Sequence, residues 1–143
     1  MTTASVPYRI DQRPMPSGLD LDQLLPKQVG PYMRASVEGV PLKVDGNSIY
    51  AHYRSGATEI FVEFAVTSSA ANAQSILETA AGETMSQFPT DPRVGVIGKE
   101  PSYFKVTDAN GAFFAWTRGG YYFSAHAKNG QAALDAFMQA FPY

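Results

Sequence analysis

From residue 32 onward, apolar side chains recur at every second position in several short stretches, the period of a strand with one buried face. In "YMRASVEG", Met33, Ala35 and Val37 alternate with Arg34, Ser36 and Glu38, and Gly39 ends the run. "VPLKV" at 40–44 reads as a short partner strand. The clearest hairpin is "NSIYAHYR" with "EIFVEFAV". Arg54 opposite Glu59 across "SGAT" puts Ile49, Ala51 and Tyr53 on one face with Ile60, Val62 and Phe64, and it pairs opposite charges.

The period then changes. "TSSAANAQSILETAAGE" offers a Ser68 or Ser69 cap, apolar positions at Ala70, Ala73, Ile76, Leu77 and Ala80, and a close at Gly82: a helix with a narrow stripe of small residues. A loop with Pro89, Asp91 and Pro92 leads into "RVGVIG", a turn at "KEPS", "YFKVTD", a turn at "DANG", and the pair "AFFAWTR" and "YYFSAHA". The last segment, "NGQAALDAFMQAF", starts at an Asn129 cap and gathers Ala133, Leu134, Phe137, Met138 and Phe141 on one side. Phe88, Phe104, Phe137, Phe141 and Tyr143 are assigned to the core. Ahead of all this, residues 1–18 hold Pro7, Pro14 and Pro16 and read as an arm, followed by a helical turn through Leu21, Leu24 and Leu25.

"IYAHYRSG" at 49–56 is echoed by "FFAWTRGG" at 113–120. Each lies in a stretch of strands closed by a helix, so the expected fold is α+β. It has one antiparallel sheet of about six to eight strands and two helices packed on one face, in two similar ββ(β)α halves at about 30–86 and 92–143. Residues 19–143 then form a single domain behind the arm. Ala51 and Ala115 should face the helices. The other face would show Tyr50, His52, Arg54, Phe61 and Glu63 from one half and Phe114, Trp116, Arg118, Tyr122, Ser124 and His126 from the other. A two-residue turn at Gly119–Gly120 would set Arg118 opposite Tyr121. A three-residue loop sets Thr117 there instead, and it is preferred because it keeps the halves alike.

Composition narrows the function classes. A chain of 143 residues with 45 % hydrophobic content, eight Tyr, nine Phe and one Trp has material for one core. A formal charge of −2 with scattered basic residues argues against nucleic acid. The absence of cysteine excludes disulfides, thiolate metal sites and thiol nucleophiles. No apolar run approaches a membrane-span length, and the start lacks a basic region followed by an apolar core; the compartment is left open, extracytoplasmic included.

No HExxH, GxSxG, Walker or GxGxxG pattern occurs, and there are two histidines, so no catalytic residue, metal or cofactor is expected. His52 lies diagonal to Glu59 and Glu63 in the favoured register, a proton-shuttle geometry that is more often a cross-strand polar contact. Arg54 and Arg118 end equivalent strands as a candidate clamp for a carboxylate or phosphate, against solvated ends stacked on rings. Three things could cover the aromatic face: the arm, a second copy of the chain, or a ligand or partner protein. The expectation is a non-enzymatic binding or interaction domain using that face, with a homodimer or protein partner as candidates. Its rivals are a small-ligand carrier or enzyme with a cleft around His52, Glu63, Arg54 and Arg118, and a purely structural domain.

Overall fold

The structure, a computed structural model, describes residues 6–87, 93–96, 98–108 and 111–143. The strands are β1 (Gln28–Val29), β2 (Tyr32–Glu38), β3 (Ile49–Ser55), β4 (Thr58–Val66), β5 (Arg93–Val96), β6 (Tyr103–Asp108), β7 (Gly111–Arg118) and β8 (Tyr121–Ala127). They form one antiparallel sheet in the order β1-β2-β3-β4-β8-β7-β6-β5, so two four-strand meanders meet at β4 and β8. The helices are α1 (Leu21–Leu24), α2 (Ala70–Gln87) and α3 (Gln131–Ala140), with an irregular 3-10 segment at Pro7–Gln12. The α+β class and the antiparallel sheet are as expected. Among the described residues no helix is long and apolar enough to cross a membrane.

Several local expectations are corrected. Residues 40–44 form no strand; Val44 alone bridges to Val66. Helix α2 continues past Gly82 to Gln87, and its cap is Ser69, whose Oγ accepts from the Asn72 amide at 3.1 Å. Asn129 does not cap α3: its side chain accepts from the Glu59 amide, while Gly130 occupies the cap position with φ of 106°. A bulge between Arg34 and Ser36 breaks the alternation of β2. As a result Val37 turns to the core side opposite Ala51, while Met33 stays 53 % exposed. The loop around Pro89, Asp91 and Pro92, the side chain of Phe88 and the tip of the "DANG" turn lie outside the described residues.

The larger correction concerns the helices, which pack on opposite faces of the sheet. Under α3 lies the main core: Ile49, Ala51, Tyr53, Ile60, Val62, Phe64, Phe114, Trp116, Phe123 and Ala125 against Leu134, Phe137, Met138 and Phe141. Under α2 lies a smaller cluster in which Ala65, Phe104, Ala115 and Tyr122 meet Leu77 and Ala81. The cause is the second hairpin. It turns in two residues, with Arg118 opposite Tyr121 and Trp116 opposite Phe123. Gly119 sits at φ of 58°, where a side chain would be strained, and a Cβ on Gly120 would come within 2.7 Å of the Thr67 carbonyl oxygen.

The first hairpin also turns in two residues, with Ser55 opposite Thr58. Counted from the turn, Ser55 therefore matches Arg118 and Ala51 matches Phe114, so the sequence echo runs one residue out of step with the strands. Ala51 faces α3 and Ala115 faces α2. The plan of two similar halves is not borne out.

The N-terminal arm belongs to the α3 layer. Ile10 is fully buried and the Tyr8 ring stands edge-on to Phe114 at 5.1 Å. The Tyr8 hydroxyl donates to Asp135 at 2.6 Å. Arg13 donates to the carbonyls of Phe141 at 2.7 Å and Met138 at 2.6 Å, satisfying the open C-terminal end of α3.

Candidate functional site: an open half of one sheet face

Helix α2 presents a stripe of Ala73, Leu77 and Ala81 at four-residue spacing. Such a narrow stripe covers a narrow strip of sheet, and α2 packs on β7 and β8. The β2-β3-β4 side of the same face is left open. Strand pairing there lines up two cross-strand rows. One is Glu38, Tyr50, Glu63 and Ser124; the next is Ser36, His52, Phe61, His126 and Phe113. Between and above them is a cleft of about 460 Å³ lined by these side chains. A second hollow of about 420 Å³ shares Tyr50 and Glu63 and is walled by Thr79, Glu83 and Tyr122.

The ring row is ordered by stacking. His52 lies parallel to Phe61 with centroids 4.7 Å apart, and His126 is tilted against Phe113 at 6.1 Å. Lys128 places its Nζ 5.3 Å from the Phe61 ring centre. His52 Nε2 is 3.3 Å from Glu59 Oε1, within ion-pair distance but out of line for a hydrogen bond. The same carboxylate takes Arg54 at 3.4 Å.

The other row is acidic. Burial raises the Glu63 carboxyl above its ordinary range, and the nearby Glu83 charge adds to this while a Ser48 hydrogen bond opposes it. The Glu63 charge, followed by burial, raises the Tyr50 hydroxyl. Tyr122 is fully buried, and burial followed by Glu63 raises its hydroxyl too. Among the described residues that hydroxyl has no hydrogen-bond partner of standard geometry, although the neighbouring Ser124 favours its ionised form slightly. Among the described residues, no lysine or arginine lines either hollow.

Of the residues singled out in the sequence, Tyr50, His52, Phe61, Glu63 and His126 come together in the cleft. Arg54 is on the same face at its rim, exposed and paired with Glu59. Tyr122 shares the face but lies beneath α2. Phe114, Trp116 and Arg118 are on the opposite face, buried under α3 and the arm. Arg118 is 3 % exposed and donates to the Arg13 carbonyl at 2.9 Å. The four-residue cleft of His52, Glu63, Arg54 and Arg118 therefore does not assemble, and neither does the arginine clamp. Phe113 was missed because the preferred hairpin register put it on the wrong face. Ser36 and Glu38 were legible as the polar alternates of β2, but nothing local placed β2 beside β3.

Among the described residues no three His, Asp or Glu side chains converge to hold a metal. Comparison with known proteins finds no matching family model, no matching curated protein and no matching solved structure.

Proposed function

We propose that the chain is a non-catalytic binding domain that seats a small ligand in the cleft over β3, β4 and β8. The observation that carries this is the partly exposed ring row of His52, Phe61, His126 and Phe113 lining a cleft on a sheet face that α2 covers at one end only. Its volume falls in the range of small-molecule sites, roughly 300–1,000 Å³. Apolar rings beside a few convergent polar groups are the usual composition of such sites, the rings supplying contact area and the polar groups orientation. The two sheet faces thus divide the work: the α3 face with the arm holds the fold, and the open half of the α2 face is free to bind.

The test is a fragment mixture screened by saturation-transfer NMR against the wild type and Ser36→Trp. Ser36 is exposed at the cleft edge, so the indole fills the cleft without entering the core. Fragments that bind the wild type and are lost with the variant, at unchanged circular dichroism, are the expected result. Equal binding to both proteins, or no binding to the wild type, would refute the reading. A concentration-dependent mass in solution that Ser36→Trp abolishes would give the cleft to a second copy of the chain instead.

A further inference from the structure

We infer that the ligand of this cleft is a small organic cation, an ammonium group carried on a compact apolar body, held over Tyr50 between Glu38 and Glu63. The inference rests on the binding reading above and adds the ligand's charge. Three independent features point the same way. First, the register puts Glu38, Tyr50 and Glu63 in direct cross-strand succession, so a phenol ring that is 52 % exposed stands with a carboxylate on either side. A cation over that ring meets the negative face of its quadrupole and two opposite charges at once.

Second, among the described residues no lysine or arginine lines the cleft beside those carboxylates; Arg54 pairs with Glu59 instead, and Lys128 lies over the Phe61 ring. An anionic ligand would be repelled, and a neutral one would leave the half-buried Glu63 carboxylate, which takes a Ser48 hydrogen bond, facing no opposite charge among the described lining residues. Third, the ring row already holds a cation of the chain's own: Lys128 sits over Phe61.

The charge requirement is read with three probes of one shape: choline, its carbon isostere 3,3-dimethyl-1-butanol, and the anion 3,3-dimethylbutanoate. Each is titrated into the full chain while the His52, His126 and Tyr50 resonances are followed by NMR. The expected result is binding of choline at least about 10-fold tighter than the neutral isostere, with no response to the anion. The double variant Glu38→Gln, Glu63→Gln should bring choline to the isostere's level while leaving the isostere unchanged. Isostere or anion binding as tightly as choline at the same resonances would overturn the cation inference and leave the cleft a binding site. No shift from any probe would also overturn it, and the fragment screen with Ser36→Trp then decides separately whether the cleft binds anything.

Discussion

Trp116 offers the sharpest check on which sheet face is core. Its side chain is fully buried, stacked between Phe114 at 5.0 Å and Phe123 at 5.2 Å, with the Phe141 ring edge-on at 5.8 Å. Truncation to alanine removes the largest side chain of the main core and its three ring contacts. Large-to-small changes of this kind cost about 3–5 kcal/mol, and each aromatic pair is worth about 0.5–1.5 kcal/mol beyond its buried area. Set against a total stability of about 5–15 kcal/mol, Trp116→Ala should lower the melting temperature by roughly 10–15 °C.

Trp116→Phe behaves differently. Among the described residues the buried indole Nε1–H has no hydrogen-bond partner, and an unmet donor of that kind costs about 1–3 kcal/mol. Phenylalanine removes that penalty while keeping most of the stack, so the loss should stay below about 1.5 kcal/mol. Urea denaturation followed by far-UV circular dichroism measures both variants, since Trp116 is the chain's only tryptophan and fluorescence would be lost with it. A Trp116→Ala cost under about 1 kcal/mol, or a change in mass in solution at unchanged stability, would mean that the ring is a docking residue and that the assignment of faces is wrong.

Two further outcomes follow from the same geometry. Arg13→Ala should destabilise the fold by about 2–3 kcal/mol, because two charge-assisted hydrogen bonds to the last turn of α3 are lost together; Arg13→Lys should recover only part of it, since an ammonium cannot span both carbonyls as the guanidinium fork does. Amide exchange in α3 should quicken in the alanine variant, and unchanged exchange would rule the clamp out. Burial raises the hydroxyls of Tyr8, Tyr53 and Tyr122 above the ordinary value of 10.0. The folded state therefore holds these protons more tightly than the unfolded chain. The stability this brings is complete below about pH 10 and declines as pH rises beyond it. Phenolate absorbance should accordingly appear for these three only together with loss of ellipticity, and ionisation in a folded protein at pH 10–11 would contradict their burial.

Period-two alternation placed β3 and β4 and the helical period placed α2 and α3, because each of these elements buries one face and leaves a record of it in its own residues, while β6, β7 and β8, buried on both faces, were legible as runs of β-forming residues between turns. The Arg54–Glu59 register was legible for the same reason, with complementary charge as a second signal. Within single strands the site was legible too: Tyr50 and His52 share a face of β3, and Phe61 and Glu63 share a face of β4, whatever lies around them.

What alternation cannot carry is parity between strands. One residue more or less in a turn flips every side chain of the following strand to the other side. "TRGG" is compatible with either turn length, and the tight turn was chosen by contacts distant in sequence: Gly120 close against Thr67, and Trp116 beside Phe123 beneath α3. The β2 bulge, the placing of β2 beside β3, and the limited strip covered by α2 are likewise products of long-range packing. Side-chain alternation is a local property of the backbone and could be read from the chain alone. The choice of sheet face for each helix depends on the summed contacts of elements far apart in sequence, so tertiary structure alone decided that Trp116 belongs to the core and that the open surface belongs to His52, Phe61 and Phe113.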